Sequence, residues 1–326
     1  MTNRVLDFAE HPARLSAREG LLRIEVEGAS EVRIPFSHLA ALVCSHGQVN
    51  FTQSVLAELA AAKATLVVCD RKHLPVAMML PLVGHGEQTN RFQRQAAAGA
   101  ALQNRLWGEI VAAKIRAQAN ALLTVTGEEH GFAAMARRVG VRNATAAEAH
   151  ASRVYWPRLF GDGTYRRGSE VDARNALLDY GYAVVRAIVA RALCGAGLHT
   201  GLGVHHHNKY DPYPLANDLM EPLRPRVDEW VAGWCASRPA AQWRLDRASK
   251  GALLERITGR FSDGAESRTL FDWAGRWSER LARCLEAKRA RLEIEEVSFV
   301  RDDPAALARS EEDAQRVQGD VAADDV

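Results

Sequence analysis

The chain has 326 residues, 47% of them apolar and 25% charged, a balance that excludes wholesale disorder and, at this length, suggests two domains. Its net charge of +2 is unevenly spread: from Asp302 to Val326 eight acidic residues face only Arg309 and Arg316, a net of −6, which leaves residues 1–301 at +8. There is no apolar run long enough to span a membrane, no secretory h-region near the start, and no C-x-x-C among the five cysteines, so a cytoplasmic protein with reduced thiols is expected.

Residues 13 to about 85 read as strands around one helix. Leu21–Val26 alternates apolar and polar side chains, and Val32–Phe36 follows after a polar turn. Leu42–Cys44 and Leu66–Cys69 have the unbroken apolar character of buried strands, with Gln53–Ala62 helical between them and Val76–Leu82 a further strand. Beyond His85 the pattern becomes helical. The spacing predicts one long helix over Arg91–Leu123, then helices near Gly131–Arg138, Ala144–Leu159, Ala173–Leu193, Leu215–Val231, Gly251–Thr258 and Ser267–Leu292. The expected fold is therefore α+β: a small β-rich N-terminal domain over residues 1–87 and a larger all-α domain over 88–300. An acidic tail, 301–326, is poor in aromatics and expected to be disordered.

Several common sites are excluded. No G-x-x-x-x-G-K-[ST] or G-x-S-x-G occurs, and the cluster Gly195, Gly197, Gly201 and Gly203 misses the dinucleotide fingerprint and follows a helix. The informative stretch is Gly201–Arg226, where His205, His206 and His207 follow a glycine-rich turn. Histidines on a loop are as a rule solvated. Here, however, a helix beginning after Pro214 carries Asp218 and Glu221 three residues apart on one face, and Pro222 bends it directly after Glu221. In the helix over 144–159, Glu148 lies among Ala144, Ala147 and Ala151, a small-residue face that lets another backbone approach. Most single helix glutamates are solvent-exposed. Gathered with Glu221 and one histidine, this one would complete a two-oxygen, one-nitrogen set suited to Mg²⁺ or Mn²⁺. Such an open site can polarise a phosphodiester, and a body at +8 permits a polyanion partner.

The segments AR-LS, LLRIE, IPF, QSVL, LVVCD-KHLPV, E-HA-RVYW, NALLDYGYAVVRA, HH-N and DLMEPLRP occur in this order between Ala13 and about Leu292. Together they closely resemble the CRISPR-associated integrase and endonuclease of the spacer-acquisition machinery, most of all its shorter type II form. The acidic tail has no counterpart in that resemblance.

The resemblance implies a β-rich N-terminal domain, a helical C-terminal domain, and homodimers that flank a small partner protein on double-stranded DNA. It implies that Glu148, His206 and Glu221 are the catalytic metal ligands, with Asn208 two positions after His206. His207 leaves a one-residue ambiguity, with His205 a weaker rival. Asp218 is expected to assist the ligands or to cap a helix, and Asn175–Arg186 to pack behind the site. Arg158, Arg166 and Arg167 are plausible phosphate contacts or solvated surface. The implied reaction is attack by a spacer 3′-hydroxyl on a phosphodiester at the edge of a CRISPR repeat. Two other readings stay open: a general metal-dependent nuclease on branched or repair DNA, and a DNA-binding scaffold without chemistry.

Overall fold

A computed structural model describes residues 4–9, 11–70, 75–82, 85–169, 172–262, 267–288 and 291–299. Two four-stranded sheets form the N-terminal region. One is built from β2 (Ala13–Arg18), β3 (Leu21–Val26), β4 (Val32–Pro35) and β6 (Val49–Phe51), in the order β4-β3-β2-β6. Its tight hairpin places Arg18 opposite Leu21, so only Glu19 and Gly20 make the turn, both at positive φ. That is the twist a two-residue connection needs. The other sheet runs β1-β5-β7-β8, from β1 (Arg4–Phe8), β5 (Leu39–Cys44), β7 (Thr65–Cys69) and β8 (Pro75–Met79). Its first three strands are parallel, and α1 (Gln53–Ala61) connects β6 to β7.

All six residues of β5 are buried, which explains its unalternating sequence. Leu42 and Cys44 join the core between the sheets, while Val43 packs with Val67 against Ala187 of a central helix. A strand covered on both faces reads as a continuous apolar run.

The strands of this region end at Met79, and α2 (Gln88–Ala96) opens the helical part. The single helix expected over 91–123 is two: Gly99, in extended conformation, separates α2 from α3 (Ala100–Thr126). Gly127, left-handed at φ 81°, ends α3 as glycine does at helix C-termini. Next come α4 (Phe132–Arg137), α5 (Ala144–Leu159) and the mostly buried α6 (Ala173–Gly195), whose N-cap Asp172 accepts the Arg174 N–H. The predicted 215–231 helix breaks at Pro222 into α7 (Pro214–Leu219), a short 3-10 turn over Glu221–Leu223, and α8 (Arg224–Ala236). Last are α9 (Arg247–Thr258) and α10 (Leu270–Ala287), both opened by capping boxes.

The α+β arrangement is the expected one, with an addition in the helical part. Three strands, β9 (Arg260–Ser262), β10 (Ser267–Thr269) and β11 (Ser298–Phe299), pair in the order β10-β9-β11. Each has two or three residues, too few to show alternation in a sequence, so the helix read over 267–292 begins as β10. The acidic tail lies outside the described residues. Among the described residues, no helix is long and apolar enough to cross a membrane, and all five cysteines are free thiols.

Candidate active site

Four elements converge on one centre. The first is α3, whose inward face carries Trp107, Lys114 and Gln118, all buried. Alanine and aliphatic neighbours from Ile110 to Leu122 keep this helix narrow, so α5 packs closely on it and brings Glu148 to Lys114. The Lys114 ammonium donates to Glu148 Oε1 at 2.6 Å and lies 2.6 Å from Glu221 Oε2 in the turn before α8. Arg224 Nε stands 3.0 Å from the other Glu221 oxygen. Burial works to discharge both Lys114 and Glu221. The facing charges outweigh it, so the Lys114 pKa is raised and the Glu221 pKa lowered.

The histidines are set by the loop after α6, folded tightly at Gly203. A Cβ there would lie 2.3 Å from the His206 carbonyl oxygen and 3.0 Å from Pro214 Cβ. Asp218, wholly buried on α7, organises the loop. Its Oδ2 accepts the N–H groups of Val204 at 2.6 Å and His205 at 2.9 Å. Its Oδ1 accepts the His206 N–H at 3.1 Å and faces His206 Nδ1 at 2.5 Å. Of the two roles expected for Asp218, orienting a histidine is the one its contacts describe.

The three histidines are thereby separated. His205 stacks flat on Trp107, centroids 4.1 Å apart, and burial lowers its pKa. His206 meets Trp107 edge-on at 5.7 Å. The hydrogen bond to Asp218 raises its pKa against a smaller effect of burial. His207 is exposed.

Glu148 and Glu221 thus meet at Lys114, and both carboxylates act electrostatically on His206. Among the described residues, no three His, Cys, Asp or Glu side chains close around a single point. The donor set nevertheless suits a hard divalent cation. It offers two carboxylates, and an imidazole whose Nδ1 is engaged by a carboxylate, the pairing that presents Nε2 to a metal. Glu221 Oε2 is also buried and accepts no aligned hydrogen bond, despite its closeness to Lys114.

Beside this centre opens a cavity of about 860 Å³, its inner wall formed by Lys114, Gln118, Tyr182, Glu221 and Arg224. Arg153, Arg166 and Arg167 also line it, with Arg166 donating to the Gly163 and Tyr165 carbonyls and Arg167 to Asn175 and Asp179; Arg158 is outside the lining and bonds the Val154 carbonyl of its own helix. Of the three expected ligands, only Glu221 lines the cavity. Asp228 also lines the cavity, accepting hydrogen bonds from Tyr155 at 3.1 Å and from Tyr182. The Tyr182 ring carries the guanidinium groups of Arg224 at 4.7 Å and Arg167 at 5.3 Å.

Burial pushes the Asp228 pKa up to about 7, against the two phenol hydrogen bonds. The native carboxyl therefore keeps a proton that the unfolded chain releases near 3.8, so stability falls as pH rises between those values and levels off above about 7. The slope attributable to Asp228 is at most about 1.4 kcal/mol per pH unit. Urea unfolding at pH 5, 6, 7 and 8 should show this slope and its levelling in the wild type. Asp228→Asn should flatten it, and parallel profiles would refute the assignment.

Lys114, Trp107, Arg224 and Tyr182 were not legible as site residues. The one available signal was polar Lys114 and Gln118, four residues apart and so on one face of a helix segment rich in alanine and aliphatic residues.

The family model described as "CRISPR associated protein Cas1" matches residues 8–259. A CRISPR-associated endonuclease Cas1 from Neisseria meningitidis serogroup C is 33% identical over 235 residues, 70% of this chain and 74% of the relative. A second, from Pyrobaculum aerophilum, is 28% identical over 78% of this chain and 90% of its own length. Among solved structures, a Cas1 protein from Thermotoga maritima superposes with TM-score 0.67 and 14% identity, covering 92% of this chain and all of that one. A casposase bound to its integration product superposes with TM-score 0.73 and 17% identity, over 93% and 96% of the two chains. At these identities the structural likenesses establish the fold.

Proposed function

The chain belongs to the CRISPR-associated Cas1 family, and from that premise we propose that it is a metal-dependent DNA endonuclease and integrase that inserts spacer DNA into a CRISPR array, an antiviral function in the cytoplasm. The observation that carries the reading is the meeting of Glu148 and Glu221 beside the Asp218-held His206, at the edge of an arginine-lined cavity.

Glu148, His206 and Glu221 are the residues that would hold Mg²⁺ or Mn²⁺. When bound, such an ion supplies positive charge to a phosphodiester and lowers the pKa of an attacking hydroxyl. In the reaction, the spacer 3′-hydroxyl oxygen bonds to the phosphorus at the repeat's edge, and the bond from that phosphorus to the 3′-oxygen of the adjoining nucleotide breaks while its bond to the repeat's 5′-oxygen is kept. The attacking hydroxyl loses its proton and the leaving oxygen gains one. One phosphodiester replaces another, so no nucleotide hydrolysis is needed, in keeping with the missing P-loop.

The chain's own groups orient and neutralise. Asp218 fixes the His206 ring, Arg224 holds Glu221, and Arg166 and Arg167 offer guanidinium groups to flanking phosphates. Phosphate contacts position DNA without reading its sequence. The working unit is proposed to be a homodimer with double-stranded DNA and a small partner protein. A chain of a Cas6-RT-Cas1–Cas2 complex superposes on this one with TM-score 0.72 and 16% identity, over 92% of this chain and 36% of that one.

The test is a strand-transfer assay with the partner protein, Mn²⁺, a short duplex and a supercoiled repeat plasmid. Joined spacer–plasmid product is expected. Nicking without joining would replace integration by plain nuclease action, and DNA binding with neither product would leave a scaffold.

A further inference from the structure

Lys114 sits where a lysine needs a strong reason. It is buried in an apolar stretch of α3, between Ala113 and Ile115, where an unpaired ammonium would be costly. Its Nζ is 2.6 Å from carboxylate oxygens contributed by two other elements, α5 and the turn before α8. One ammonium therefore joins three separate pieces of chain. The local charges also balance: Glu148 and Glu221 are matched by Lys114 and Arg224. A divalent cation taken up by these carboxylates must share oxygens that Lys114 already engages.

We propose that Lys114 is a positioning residue, a built-in counter-ion that holds Glu148 and Glu221 together and competes with the divalent cation for them. This rests on the metal-dependent reading above and deepens it. Pre-assembly removes the repulsion that would otherwise splay two carboxylates forced together. Competition sets the affinity for the ion below what the bare carboxylate pair would give. Lys114 also forms part of the cavity wall, so an ammonium that yields the carboxylates faces the space offered to DNA phosphate.

The experiment compares wild type, Lys114→Met and Lys114→Arg by thermal unfolding in EDTA and by calorimetric Mn²⁺ titration of the full chain. Lys114→Met should unfold several degrees lower in EDTA, because two carboxylates lose their shared cation. It should bind Mn²⁺ about tenfold more tightly, and Mn²⁺ should raise its Tm more than it raises that of the wild type. Lys114→Arg, which keeps the charge, should stay near wild type in Mn²⁺ affinity. Adding Glu148→Gln to Lys114→Met should recover much of the EDTA loss, a coupling that a packing defect would not produce. Should Lys114→Met fail to fold, Lys114→Gln takes its place in the same titration. Wild-type Mn²⁺ binding that is unchanged or weakened in the neutral variants overturns the proposal alone. Absence of Mn²⁺ binding in every protein overturns the metal-dependent reading together with it.

Discussion

Glu221→Gln should abolish both nicking and strand joining, a fall of at least about 10³-fold, while the protein still binds DNA. The side chain is 5% exposed and sits between Arg224 and Lys114, so its charge cannot be replaced by water. An amide keeps the size but loses the negative charge that the divalent ion needs. It also leaves buried Lys114 with Glu148 alone and takes the carboxylate charge away from half-buried Arg224, which should cost about 3–5 kcal/mol of stability. Glu148→Gln should be as severe for activity but gentler for stability, since that side chain is 22% exposed. Denaturant unfolding beside strand-transfer yields separates the two effects. Activity of Glu221→Gln within tenfold of wild type would remove Glu221 from the catalytic set.

Gly203→Ala should be nearly as damaging without touching any reacting group. The added Cβ would lie 2.3 Å from the His206 carbonyl oxygen, a backbone atom that cannot step aside without moving the histidine. The turn would open, weakening the bonds from Val204, His205 and His206 to Asp218 and freeing the His206 ring. Activity should fall by about 10²-fold, the scale associated with losing an outer-shell partner of a metal-binding histidine. Global stability should fall by only about 1–3 kcal/mol. Gly201→Ala is the matched control: its Cβ would press on the His199 ring, at 3.0 Å, a side chain that can turn, and meet the Pro212 carbonyl oxygen only at an ordinary 3.9 Å. Equal activity in the two alanine variants would show that the turn at Gly203 does not hold the site.

The sequence was most informative where a local pattern decides the structure. The alternation in LLRIEV and the break at Pro222 are short-range effects, whereas the starts of α9 and α10, set by capping boxes at Asp246 and Thr269, were placed four residues late and three early. Glu148 was legible because its alanine neighbours imply close packing, and Asp218 because it shares a helix face with the turn that carries Glu221. Lys114 was not, because its meaning depends on two carboxylates 34 and 107 residues away in the chain. The same holds for Trp107, which sorts His205 from His206 by stacking on one and meeting the other edge-on. The resemblance alone could not separate three adjacent histidines. Contacts do: Asp218 engages the ring of His206, and His207 is exposed.

The most direct test of a single metal centre is electron paramagnetic resonance counting of bound Mn²⁺ in wild type, Glu148→Gln, His206→Ala, Glu221→Gln and His207→Ala. A centre held by Glu148, His206 and Glu221 requires tight Mn²⁺ binding in the wild type, its loss in the first three variants and its retention in His207→Ala. Binding that survives His206→Ala but disappears in His207→Ala, or that none of the substitutions alters, would contradict it.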